Sequence, residues 1–324
     1  MRTTTFRPVQ VRHLSTPEYP PVEVKNWREG WAIVSTMVDR TGKPYETAIM
    51  RSSGNAALDR AAVTAMEHST LEPAISDGQP IESAYEIKYS FVLQDARVGA
   101  SPAFVRAYEK FVRAMQGESE ADAEAALKQL DAVNLYEDAY LGLAQYKYAL
   151  RYGTQYDQIE GLKRAIADET GAKYLPKPEF EGALRSLLVL DVRTNHFREA
   201  LTLWEQLQKL STDSQILGKL KPVMDQVNSI QTDPRPYAIV GELTPSASST
   251  ETMQAAWFLD LFKTRFRIQV EEGSLSEIKL RCDKTFLSFP FDPELEYHVE
   301  SRFGKCEMQL LGAPGSRITV TQSG

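Results

Sequence analysis

The stretch Trp31-Ala-Ile-Val-Ser-Thr-Met-Val-Asp39-Arg-Thr-Gly42 decides how the first part of the chain folds. Read with a period of two, it places Trp31, Ile33, Ser35 and Met37 on one face of a strand and Ala32, Val34, Thr36 and Val38 on the other. Asp39-Arg-Thr-Gly42 supplies a turn, because glycine accepts the positive φ that such loops demand. Tyr45 to Arg51 then returns as a second strand and closes a hairpin. Ser52-Ser53-Gly54-Asn55 offers caps for a helix from about Ala56 to His68, with Leu58, Ala61, Ala62, Ala65 and Met66 as its inward stripe. Beyond Pro73, Gly78 and Pro80, the run from Ala84 to Leu93 alternates again, with Tyr85, Ile87, Tyr89 and Phe91 against Glu86, Lys88 and Ser90. The order is β-β-α-β, and the last strand can form a sheet edge with unpaired backbone groups.

The segments Pro17-Glu-Tyr19-Pro20, Glu29-Gly30, Val38-Asp39-Arg-Thr-Gly42, Ser52-Ser53-Gly54, Leu58-Asp59-Arg-Ala61-Ala62, Pro73-Ala74 and Gly78-Gln-Pro80 follow one another in a family's order and spacing. In them residues 17 to 93 resemble the TonB carboxy-terminal domain family. The resemblance implies a small domain of the Gram-negative envelope, sited in the periplasm, that grips a short extended peptide by strand addition. In that family the peptide is the TonB box of an outer-membrane transporter. Carried onto this sequence, it implies a partner-binding strand with Tyr85, Glu86, Ile87, Lys88, Tyr89 and Phe91, and Tyr19 and Pro20 beside the groove. Main-chain pairing along Glu86 to Phe91 would give affinity, and alternate side chains selectivity. Two alternatives stay open: the rest of the chain can cover that edge, and Tyr19 can serve packing alone. A TonB transducer carries an anchoring helix and a Pro-rich spacer ahead of this domain, and about 16 residues precede Pro17 here, so force transduction is not expected.

From Pro102 to about Ile230 nearly everything has helical period. Tyr148-Ala-Leu-Arg-Tyr-Gly-Thr-Gln-Tyr156 aligns with Leu190-Asp-Val-Arg-Thr-Asn-His-Phe197, each reading as a helix, a turn and an aromatic that opens the next helix. The segments Ala103 to Gln116 and Glu120 to Val133 make a degenerate earlier pair, Gly171 to Pro178 an insertion, and Ser214 to Ile230 a capping helix. The spacing resembles that of tetratricopeptide (TPR) hairpins, and predicts an array whose concave side suits a peptide or protein face. The tyrosines Tyr136, Tyr140, Tyr146, Tyr148 and Tyr152 are candidates for that face, although their spacing of four also suits a buried seam.

From Tyr237 onward the runs are short, β-branched or aromatic, and separated by Gly, Pro, Ser and Asp, as in an all-β sandwich. Phe266, Ile268 and Val270 alternate with Arg265, Arg267 and Gln269; Ile278, Leu280 and Cys282 share a face, as do Cys306, Met308 and Leu310. A lone pair of inward cysteines on two strands predicts a Cys282–Cys306 disulfide, which needs an oxidising compartment such as the periplasm. Gly312-Ala-Pro-Gly315 lacks the Gly-Lys-Ser/Thr ending of a phosphate loop and predicts a hairpin turn; Asp292-Pro-Glu294 predicts a solvated loop. Thr244 to Thr252, rich in Ser and Thr, predicts a mobile loop.

The fold class expected is thus multidomain α+β: a TonB-C-like domain over 1–98, a TPR-like array over 99–232 and a small antiparallel β-sandwich over 233–324. Gln94 to Pro102 and Gln231 to Pro236 carry linker chemistry at the two joins. The 324 residues hold 37 basic and 44 acidic side chains, net −7, and no segment is basic, so nucleic acid and anionic membrane surfaces are poor partners. No uninterrupted apolar run exceeds Ala255 to Leu259, against about 20 residues for a spanning helix, and Met1 to Leu14 has no apolar signal-peptide core. Four scattered histidines and two cysteines form no metal cluster, nucleophile motif or cofactor fingerprint. The expectation is a non-enzymatic protein, without metal or cofactor, that binds a protein or peptide. The alternative is an envelope scaffold whose helical array is the working surface.

Overall fold

The computed structural model describes residues 6–94, 99–167, 173–246 and 254–324. The chain divides into two compact units, one of residues 1–20, 32–89 and 229–324, the other of 21–31 and 90–228. Parts of the predicted joins and insertion, residues 95–98 and 171–172, lie outside the described residues.

In the first unit, β1 (Gly30–Val38) and β2 (Pro44–Ser52) form the predicted antiparallel hairpin, and β3 (Ser83–Phe91) lies on the other side of β1, giving the order β2-β1-β3. Gly42 is required at the turn: its φ is +89°, and a Cβ there would lie 1.9 Å from the Leu71 carbonyl oxygen. Asp39 closes the same turn, its Oδ1 accepting from Thr41 N (2.8 Å) and Lys43 N (3.0 Å). The helix α1 (Ala56–Glu67) is capped by Asn55, which accepts from the amides of Ala57 and Leu58. Its buried stripe is Leu58, Ala62, Val63, Ala65 and Met66; Ala61, assigned to that stripe by pattern, is half-buried.

Asp59 is buried on the same helix, with Ser52 Oγ donating to one carboxyl oxygen (3.0 Å) and no partner at the other. Burial, opposed by the Ser52 bond and Arg60, pushes its pKa up to about 6. A raised carboxyl stabilises the fold fully only below its unfolded value near 4, and that contribution is lost as pH rises through about 6. Asp59→Asn is therefore expected to stabilise the protein at pH 7 by roughly 1–3 kcal/mol and to flatten the loss between about pH 4 and 6. Chemical denaturation at pH 4, 5, 6 and 7 measures it.

The second unit contains α2 (Pro102–Gln116), α3 (Glu120–Leu127), α4 (Leu135–Arg151), α5 (Gln155–Ile166), α6 (Lys177–Arg193) and α7 (Phe197–Leu210), followed by α8 (Ser214–Ile230), whose end passes into the first unit. Ser101, Ser119, Asn134 and Thr154 cap the helices α2 to α5 with side-chain oxygens, and Tyr156 and Phe197 open α5 and α7 as their spacing predicts. The second helix of the early pair stops at Leu127, short of Val133. Residues 28–31 pack with these helices: Arg28 donates to both Asp131 carboxyl oxygens (2.9 and 2.7 Å), and Trp31 Nε1 donates to Asp138 (2.7 Å). Glu29 accepts from the amides of Leu93 (3.0 Å) and Leu135 (3.3 Å).

Helices α4 and α5 meet backbone to backbone. A Cβ on Gly142 would lie 2.4 Å from Ala165 N, and one on Gly161 would lie 2.6 Å from Tyr146 N. Gly161→Ala is expected to force the pair apart at a cost of about 1–3 kcal/mol, read from the urea midpoint.

The sandwich comprises β4 (Tyr237–Glu242), β5 (Gln254–Asp260), β6 (Arg265–Glu272), β7 (Leu275–Cys282), β8 (Phe286–Pro290), β9 (Cys306–Gly312) and β10 (Arg317–Ser323). One sheet runs Thr244–Ser246, β5, β9, β7, β8; the other runs Tyr297–His298, β6, β10, β4. Thr244–Ser246, read from composition as loop, pairs with Gln254–Ala256, and the remainder of that Ser/Thr-rich stretch, 247–252, lies outside the described residues. The predicted hairpin turn at Gly312–Gly315 is instead a crossing between sheets, since β9 and β10 belong to different ones. Between the sheets lie Ile239, Trp257, Phe266, Ile268, Ile278, Leu280, Met308, Leu310, Ile318 and Val320 together with the Cys282–Cys306 disulfide. The two cysteines are paired directly opposite. Asp283 N bonds Lys305 O at the next position, which leaves the cysteines at a non-hydrogen-bonded site, where Cβ atoms approach most closely. The join at 231–236 is pinned to this unit: the buried Lys263 donates Nζ to the carbonyls of Asp233 and Arg235.

Candidate functional site

The edge strand β3 is built by alternation. Tyr89 and Phe91 are buried, and Tyr89 OH reaches Met66 Sδ of α1 at 4.0 Å, which ties the strand to that helix. Tyr85, Ile87 and Lys88 are half-buried, and Glu86 and Ser90 are exposed. The side chains of this strand that keep solvent contact are therefore Tyr85 to Lys88 and Ser90. Tyr19 and Pro20 are half-buried in the segment leading to the short helix Pro21–Lys25.

The face of β1 and β2 turned from α1 meets the sandwich. Across β5, β9, β7 and β8 the residues Asp260, Glu307, Arg281 and Phe286 stand in one row. Ser35 Oγ donates to Glu307 Oε2 (3.2 Å), the Tyr45 ring meets Phe286 edge-on at 5.9 Å, and Lys279 Nζ donates to Glu46 (2.6 Å). Glu46 lies at φ +52°, where β2 takes three steps from Tyr45 to Ala48 against two on β1 from Met37 to Ser35. A bulge of this kind re-aims a side chain, and here it turns a carboxylate toward Lys279 and Arg281.

Arg281 is 1% exposed and Glu307 7%. The guanidinium donates Nε and Nη2 to Gln309 Oε1 (3.0 and 2.7 Å), and its Nη1 has no hydrogen-bond partner. Burial first, then the neighbouring Glu86 and Asp260, raise the Glu307 carboxyl well above its usual range against the pull of Arg281 and Ser35. Glu86 on β3 is pushed up to about 7 by crowding protein atoms and by Asp260, a rise that its remaining solvent contact tempers. Motif and alternation missed this network because Arg281, Gln309 and Glu307 point away from the sandwich core, as solvated residues do. Their one signal is that Arg281 and Glu307 directly flank the two cysteines.

Residues 15–93 match the family model for the Gram-negative bacterial TonB protein C-terminal. Over 88 residues, 27% of this chain and 36% of the relative, the identity to Protein TonB of Vibrio cholerae serotype O1 is 30%. Over 62 residues, 19% of this chain and 23% of the relative, the identity to Protein tonB2 of Pseudomonas aeruginosa is 37%. The chain thus spans about a third and about a quarter of these two curated relatives. A solution NMR structure of the Pseudomonas aeruginosa TonB CTD aligns at 20% identity and TM-score 0.25, covering 28% of this chain and 91% of that one. The TonB-like match takes in β1, β2, α1 and β3, and with them the candidate edge. Among the described residues no helix is long and apolar enough to cross a membrane.

Proposed function

We propose that this chain is a non-enzymatic, periplasmic interaction protein that captures an extended segment of a partner protein as an added strand along β3, in TonB-dependent transport across the envelope. The observation that carries this reading is the position of β3 at the edge of the order β2-β1-β3, within the residues that match the TonB C-terminal model. An edge strand is a template for main-chain pairing. Tyr85, Glu86, Ile87 and Lys88 contribute side chains at its accessible end, Tyr89 and Phe91 contribute backbone, and Tyr19 and Pro20 flank the entry. The Cys282–Cys306 disulfide supports an oxidising compartment. The partner segment is of the TonB-box kind carried by outer-membrane transporters.

Proline substitution tests it. Of two neighbouring positions such as Glu86 and Ile87, one amide faces β1 and the other faces outward, so proline is tolerated at one of them and removes a donor from the free edge. The tolerated variant is expected to keep its melting curve and to lose at least about tenfold in affinity for a transporter-derived box peptide. Unchanged binding by that variant excludes strand addition at β3.

A second reading rests on the aromatic cluster of the helical unit, where Tyr136 stacks on Tyr140 (4.9 Å) and Tyr140 meets Tyr108 edge-on (6.0 Å). All three are half-buried, which suits the working face of a TPR-like scaffold. Comparing partner capture by a Tyr136→Ala, Tyr140→Ala double variant with that of the tolerated proline variant separates the two readings.

A further inference from the structure

The four-stranded sheet of the sandwich has an unfinished edge. On one side β6 pairs with β10 from Arg265 to Glu272; on the other it pairs only at Arg265 with His298 and at Phe266 with Tyr297. Among the described residues no strand continues that second ladder past Phe266. Its direction follows from one bond, in which Val299 N–H donates to the Thr264 carbonyl (2.7 Å) across this edge. Backbone groups of successive residues alternate sides in an antiparallel strand, so those of Ile268 and Val270 point the same way as those of Thr264 and Phe266.

Beside this stretch runs a groove of about 650 Å³ lined by Ile268, Val270, Leu275, Phe291, Pro293 and Arg267, among others. Val270, Leu275 and Phe291 are partly buried and packed on the sandwich core, so the inner wall of the groove continues that core. Arg267 is the one charged residue among those lining it, and its side chain is 68% exposed with only a loose pairing to Glu296 (3.8 Å).

We propose that this groove is a second strand-acceptor site, one that takes an extended acidic-apolar peptide pairing with Ile268 and Val270. The stretch Arg267–Val270 accommodates about four residues at roughly 3.4 Å each. Inward side chains of the peptide complete the core against Val270, Leu275 and Phe291, and a carboxylate meets Arg267. A peptide fits better than a compact small molecule because the edge presents main-chain donors and acceptors at a strand's repeat. The site lies on a different sheet from β3 and stands independently of the function proposed above.

Amide exchange and NMR on the full chain test it, with acetyl-Thr-Val-Glu-Val-Thr-amide and its Lys-for-Glu counterpart as probes. Without peptide, the Ile268 and Val270 amides are expected to exchange at least about tenfold faster than those of Arg267 and Gln269, which face β10. The Glu peptide should protect Ile268 and Val270. Arg267→Glu should reverse the preference toward the Lys peptide, and Ser274→Trp, placed on the groove wall, should abolish the response with the unfolding curve unchanged. Amides of Ile268 and Val270 already as protected as their neighbours, no response at millimolar peptide, or equal binding of both peptides would overturn the site. Protection that grows with protein concentration alone assigns the edge to a second copy and overturns the peptide occupant.

Discussion

Arg281→Met is expected to lower stability by about 3–5 kcal/mol, because it removes the buried cation that faces Glu307, Glu46 and Glu86. Methionine preserves much of the stem volume, so the loss reads charge more than packing. Pairing it with Glu307→Gln removes the most deeply buried carboxylate and is expected to recover at least about 1 kcal/mol, measured as a double-mutant cycle in urea. Equal destabilisation of the single and double variants would mean that Arg281 acts through packing. The pH dependence has a definite sign. Glu307 and Glu86 are raised in the folded protein, so their contribution is complete below about pH 4.5 and is lost as pH rises through about 7 and beyond. Glu307→Gln should flatten that decline.

Removing the disulfide with Cys282→Ala and Cys306→Ala together is expected to cost about 3–4 kcal/mol, the chain-entropy value for a loop of this size. The loss should extend beyond the sandwich core. Arg281 and Glu307 occupy the register position next to the cysteines and point to the opposite face, toward the TonB-like sheet. The disulfide therefore holds the two strands that present the network. Combined with Arg281→Met, its removal is expected to be non-additive by about 0.5 kcal/mol or more. Strict additivity in guanidinium titrations would show that the core face and the network face are independent.

The hairpin around Gly42, the capped helix from Ala56 and the disulfide were legible because each rests on local rules: a positive φ, an Asn cap, an inward pair of cysteines. The edge position of β3 was legible from chain order. Tyr89 and Phe91 were legible as alternating side chains, but alternation cannot tell a face that meets a partner from one that meets α1. The sheet-to-sandwich contact was not legible at all. Arg281, Glu307 and Gln309 follow the pattern of a solvated strand face, and only a second layer placed over them makes them buried. Ser35 and Glu46 complete that contact from a polar position and a bulge, neither of which has a periodic signature. Gly142 and Gly161 were equally silent, since a glycine within a helix reads as a weak spot until another backbone lies against it. The crossing at Gly312–Gly315 read as a hairpin because turn chemistry says nothing about which sheet receives the next strand.

Capture of an extended segment along β3 can be read by amide exchange on the full chain with and without a transporter-derived box peptide. Strand addition there is expected to bring new protection at alternate amides between Glu86 and Phe91. Protection confined to the helices between residues 102 and 230, or protection nowhere in the chain, would contradict it.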